Sequence, residues 1–121
     1  MKIASVLSGL GFAALTSLAI PALAARTGVG LTIGDITIYG SNARIFFSSG
    51  ISGSTPACGS GHPSHFGINL ATDKGRAQLS LATAAMLSGK TVNVLGTSGC
   101  IAVDTPGTNN WQELDQLSMN P

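Results

Sequence analysis

Two hydrophobic rhythms run along this chain. From Ile3 to Ile20 apolar residues follow one another with only Ser, Thr and Gly between them, behind the single positive charge of Lys2. Pro21 then breaks any helix, and Ala22-Leu23-Ala24 supplies the small-x-small triplet at which secretory leaders are cut. Residues 1–24 therefore read as a signal peptide, leaving about 97 residues from Ala25 onward to fold. The competing reading is an uncleaved anchor helix. Ser5, Ser8, Gly9, Gly11, Thr16 and Ser17 dilute it, and the helix breaker ahead of the triplet favours cleavage.

Beyond the leader, alternation takes over. In Val29–Tyr39, Leu31 and Ile33 share one parity and Ile36 and Ile38 the other, with Gly34-Asp35 between them. A strand bulged at Gly34 puts both pairs on one face. Gly40-Ser41-Asn42 is a turn, and Ala43–Ser48 is a second strand through Ile45, Phe46 and Phe47, which completes a hairpin. Residues Ser48 to Ser64 are Gly, Ser, Thr and Pro around Cys58 and read as a long loop. In His65–Ala71 the alternation of Phe66, Ile68 and Leu70 predicts a third strand.

Helical spacing replaces alternation after Thr72 and Asp73, either of which can cap a helix start. Lys74–Ser88 is rich in Ala, Leu and Gln, and Gly89 is placed to stop it. Ala77, Leu81, Ala84, Ala85 and Ser88 line one face, and Leu79, Ala82 and Met86 line its neighbour. Thr91–Leu95 is the next strand, ended by a Gly96-Thr97-Ser98-Gly99 turn, with Cys100–Val103 its continuation or return. After a turn region at Asp104–Asn110, Trp111–Met119 reads as a last strand, although Leu114 and Leu117 also fit a helical turn.

The order β-β-β-α-β-β is α+β and mostly β, and five short strands with a helix between the third and fourth predict a small OB-like barrel. Charge adds an exclusion. From residue 25 onward, Arg26, Arg44, Lys74, Arg76 and Lys90 balance Asp35, Asp73, Asp104, Glu113 and Asp115, which gives no support for binding nucleic acid or anionic lipid. A single domain of this size buries a modest core, and export makes a Cys58–Cys100 disulfide the expected staple.

Asp35-Ile36-Thr37-Ile38-Tyr39, Ala43-Arg44-Ile45-Phe46-Phe47, Gly89-Lys90-Thr91-Val92-Asn93-Val94 and Gly96-Thr97-Ser98-Gly99-Cys100 together resemble segments of a family of small exported bacterial proteins. That family is similar to the B subunits of subtilase-type and pertussis-like AB toxins. The resemblance spans most of the chain after the leader and implies an OB-fold, a pentamer and a non-enzymatic role in binding cell-surface glycan. Related B subunits hold sugar through polar residues near the first strand, and Thr32 is the hydroxyl standing nearest that stretch here.

Sugar recognition needs an aromatic platform and neighbouring hydroxyls or amides. Tyr39 and Trp111 are the chain's only Tyr and Trp, and Asn109, Asn110 and Gln112 flank the indole. Tyr39, Trp111, Asn109, Asn110 and Thr32 are accordingly the candidate ligand-binding residues. Trp111 also suits a structural role, capping the open end of the barrel.

Other chemistries are poorly supported. His62 and His65 form an H-x-x-H pair, but Pro63 and the surrounding Gly and Ser oppose a helix, and a metal would need further ligands. No Gly-x-Ser-x-Gly elbow is present. Glu113 and Asp115 are two apart near a terminus and read as a solvated face. Gly28, Gly30 and Gly34 precede a strand rather than a helix, so they are no phosphate loop. The expectation is a periplasmic or secreted binding module without enzymatic activity, metal or cofactor, off the membrane once the leader is cut, most readily for glycan. A structural or protein-interaction domain is the alternative, and a small hydrolase ranks third.

Overall fold

The computed structural model describes residues 27–48, 51–53, 55–102 and 110–121, so the leader and Asn109 lie outside the described residues. Seven strands and one helix follow in order: β1 (Thr27–Leu31), β2 (Ile33–Tyr39), β3 (Asn42–Phe47), β4 (Ile51–Ser52), β5 (His65–Asn69), α1 (Asp73–Ser88), β6 (Val92–Ala102) and β7 (Asn110–Met119). All seven strands belong to one sheet, ordered β2-β3-β5-β7-β6-β1-β4. The fold is mostly β, and among the described residues β5–β7 is the one parallel pair, the others being antiparallel.

The anticipated closed ring of five strands is replaced by a single sheet of seven, in which β2 and β4 are the hydrogen-bonded ends. Two features account for the difference. The first predicted strand is broken at Thr32, whose carbonyl accepts from the Ser48 amide at 3.1 Å. The Gly-Ser loop also contributes the two-residue β4, which pairs Ile51 with Gly28 and Ser52 with Thr27.

The β2–β3 hairpin forms as alternation predicts. Its register shifts at Gly34, from Ile33 opposite Phe47 to Asp35 opposite Phe46. A Cβ on Gly34 would lie 2.8 Å from the Phe46 ring, so glycine admits that ring over the bulge. β3 then alternates strictly: Ala43, Ile45 and Phe47 enter the core while Asn42, Arg44 and Phe46 face away from it. Leu31, Ile33, Phe66, Ile68, Val92, Val94 and Leu114 complete the sheet's contribution to the core. The bulge only half achieves its expected effect, because Ile36 packs on the core but Ile38 remains 52% exposed.

Thr72 caps α1, its hydroxyl accepting from the Gly75 amide at 3.0 Å, and Gly89 ends the helix at φ 66°. The buried positions are Gly75, Gln78, Ala82 and Ala85, which take Ala85 from one of the two predicted apolar faces and Ala82 from the other. With Ala and Leu all round, periodicity alone cannot phase this helix. Its rotation is set by Gly75, where a Cβ would stand 1.8 Å from the Asn69 carbonyl oxygen, and by Gln78, whose amide donates to the Asp115 carbonyl at 2.9 Å. Ala77, Ala84 and Ser88 of the first face and Met86 of the second are left exposed.

β6 runs straight through the predicted Gly96–Gly99 turn. β7 pairs on both sides of that segment, Gly96 opposite Leu114 and Cys100 opposite Gln112, so the extra residues are absorbed as a bulge with Ser98 at φ 72°. Cys58, in a single 3-10 turn over Ala57–Gly59, is joined to Cys100 of β6 by a disulfide with Cα atoms 6.2 Å apart. Among the described residues no helix is long and apolar enough to cross a membrane.

Candidate functional site

The alternation that buries Ile45 turns Arg44 outward, and the pairing of Thr37 with Arg44 and of Arg44 with Gly67 sets it in the middle of the outer face of β2, β3 and β5. Around it the fold gathers side chains from five segments: Asp35, Thr37 and Tyr39 from β2, Phe46 from β3, His65 from β5, Trp111 from β7, and His62 from the turn between the disulfide and β5.

The guanidinium is the hub. Its Nη2 reaches Asp35 Oδ2 at 2.5 Å and donates to Thr37 Oγ1 at 3.0 Å, while the Thr37 hydroxyl donates in turn to the Asp35 carboxylate. Its Cζ lies 5.8 Å from the centroids of both Tyr39 and Trp111, cation–π geometry on two rings at once. The Tyr39 and Trp111 rings are themselves 5.4 Å apart and tilted by 42°. His62 meets the Trp111 ring at 5.7 Å and the His65 ring at 5.6 Å, and Phe46 covers His65 at 5.1 Å.

Removal from water, the Arg44 charge and the neighbouring His62 hold the His65 pKa below the ordinary histidine value, partly opposed by Asp35. Arg44 Nε, His65 Nδ1 and Trp111 Nε1 are all buried without a hydrogen-bond partner. Closing the cluster thus carries a polar cost, since a buried orphan forfeits about 1–3 kcal/mol.

No family model, characterised protein or solved structure matches this chain.

Of the residues predicted from sequence, Tyr39 and Trp111 are brought into contact. Trp111 is only 3% exposed and Tyr39 is 38% exposed, so the tyrosine presents the accessible part of the pair. Asn110 sits beside them at the start of β7, paired with Ala102. Thr32 does not join them: it lies at the far end of β2, roughly 20 Å away at about 3.3 Å per residue. The Gln112 side chain points inward, with its amide buried and unpartnered against Gly96. Asp115 is engaged by Lys74 at 2.6 Å, while Glu113 stands opposite Gly67. The two histidines do converge, yet among the described residues no set of three metal-ligating side chains exists.

Sequence reasoning missed Arg44, Asp35, Thr37 and Phe46. The available signal was parity: in Ala43–Phe47 the arginine falls on the face opposite the buried residues, beside a second large aromatic. A separate concavity of about 390 Å³ lies along the seam of α1 and β7, lined by Lys74, Ala77, Gln78, Leu81, Asp115 and Leu117. It lacks aromatic side chains and is bridged by the Lys74–Asp115 ion pair.

Proposed function

We infer that this protein is an exported, non-enzymatic binding module for glycan, similar in kind to the B subunits of subtilase-type and pertussis-like AB toxins. The observation that carries this reading is the Tyr39–Arg44–Trp111 cluster, built from β2, β3 and β7. The exposed edge of Tyr39 offers a surface for the apolar face of a sugar ring, and the Arg44 guanidinium beside it donates to hydroxyl or carboxylate oxygens.

Chain connectivity supports the OB-like part of the proposal. β1 and β2 are separated by Thr32 alone, so one bent segment pairs with β6 through its first half and with β3 through its second. Counted as a single strand, it makes the ladder run first, second, third, fifth, fourth and back to first, with α1 between the third and fourth. In an OB barrel the outer face of the second and third strands and the adjoining first hairpin form the ligand surface, and here those elements carry Arg44, His65 and Tyr39. Assembly into a ring, with a pentamer as the form the toxin likeness implies, would multiply weak single sites through effective concentration.

The burial of Trp111 favours a second reading, an extracytoplasmic protein-interaction or structural domain in which the rings serve only to close the outer face. A glycan array probed with the mature protein and with Arg44→Met and Tyr39→Ala variants separates the two. Binding lost in both folded variants supports the lectin reading. No glycan above background with the wild type leaves the interaction domain. Light scattering coupled to size exclusion tests the ring, and a monomer at all concentrations removes it.

A further inference from the structure

We propose that the turn bearing His62 is an acid-released cover over Trp111: held across the indole when the imidazoles of His62 and His65 are neutral, and driven off when they take up protons from solvent. As a means of exposing or reshaping a ligand surface it rests on the binding reading above; as a structural device it does not.

Three observations carry it. The cover has defined attachments, the Cys58–Cys100 disulfide at one end and the Ser64 carbonyl accepting from the Phe47 amide at 3.0 Å at the other. Between them, Gly61 stands in open space and supplies backbone freedom, and His62 makes the ring contact with Trp111. The closed arrangement is also poorly satisfied, with Trp111 Nε1, His65 Nδ1 and Arg44 Nε all buried and unpartnered. Opening the turn restores water to these atoms.

The charge balance then gives the direction. His65 is faced by Arg44 from β3, by His62 from the turn and by Asp35 from β2, while β7 brings the uncharged Trp111 and, opposite Gly67, Glu113. Asp35 is already committed to Arg44 and Thr37. Protonating both imidazoles would add two positive charges beside that of Arg44, with the two rings 5.6 Å apart. A charged imidazole is also a donor at both nitrogens, and Nδ1 of His65 has no acceptor where it stands. Repulsion pushes the His62 turn outward, and its departure lets water reach His65 Nδ1 as the acceptor it lacks.

The chain has one Trp and two His, so the test is direct. Acrylamide quenching of Trp111 fluorescence should rise severalfold as pH is lowered from about 8 to about 5. Far-UV circular dichroism should stay unchanged over the same range. The step should vanish in the His62→Gln/His65→Gln double variant. Should that variant fail to fold, the two imidazole proton resonances of the wild type must titrate together with the single indole N–H resonance. A wild-type Trp111 whose accessibility is flat across this range overturns the proposal, as does a step that persists in the folded double variant. An array on which no glycan binds at any pH would remove the lectin reading and leave the quenching result standing.

Discussion

Cutting the Cys58–Cys100 cross-link should be the most damaging change that removes no core side chain. The bonded residues are 42 positions apart, so the bridge restricts a loop of 43 residues in the unfolded chain. Chain-entropy bookkeeping assigns such a loop roughly 13 cal/mol/K, or about 4 kcal/mol at 25 °C. In a domain whose total stability is about 5–15 kcal/mol, that is a large share. The native side adds little that could replace it. The Ala57–Gly59 turn is fastened by its own short-range bonds, Gly59 amide to the Pro56 carbonyl and Ser60 amide to the Ala57 carbonyl, and leans on β7 where Gly59 approaches the Gln112 amide. A Cys58→Ala/Cys100→Ala variant should therefore lose about 3–4 kcal/mol in urea unfolding. The transition should be followed by Trp111 fluorescence and by far-UV circular dichroism on the same samples. Agreement of the two probes would make the free energies comparable between variants. A loss below about 1 kcal/mol, with coincident transitions, would refute the loop-entropy account and mean that packing alone holds the turn.

Other substitutions test separate parts of the structure. Ile45→Ala, at a fully buried β3 position, should cost about 2–5 kcal/mol, whereas Leu87→Ser, at a position 80% exposed, should stay within about 0.5 kcal/mol; chemical unfolding measures both. Gly75→Ala should destabilise by more than about 1 kcal/mol despite alanine's better helix propensity, because its methyl would meet the Asn69 carbonyl; a stabilised variant in thermal melts would contradict the docking of α1 on β5. Stability should fall with acidity for a reason located at His65. Its folded-state pKa lies below the unfolded value, so the unfolded chain binds the proton more readily and stability is lost as pH drops below about 6.5 toward the folded-state value. His65→Gln should flatten that part of the stability profile, and an unchanged slope in urea titrations would contradict the assignment.

Where the chain alternates or punctuates strongly, its structure was legible. Ile45 and Phe47, the Gly40-Ser41 turn, the Gly34 bulge, the Thr72 cap and the Gly89 stop each combine a local conformational preference with a local consequence, and each is found where expected. Failures arose where a distant partner decides. The Gly96–Gly99 run has turn composition, but β7 pairs across it and keeps it in a strand. The rotation of the helix could not be chosen between its two apolar faces because it depends on Asn69 and on a carbonyl of β7, neither visible in the helix's own periodicity. Ile51 and Ser52 become a strand only because β1 offers them an edge.

The same division explains why only half of the aromatic site was legible. Tyr39 and Trp111 stand out by rarity, and rarity needs no partner to be noticed. Arg44 is one of several cations and draws attention only once β2 supplies Asp35 and Thr37 and β7 supplies the indole. His62 and His65 read from sequence as a pair of loop histidines; beside Arg44, burial and charge hold the His65 pKa below the ordinary histidine value. Their chemistry is therefore a property of the pairing of β2 with β3 and of β3 with β5, and of the disulfide that sets the turn over β7. Any change that slips that register or frees that turn disperses the group, even with every one of its side chains still present.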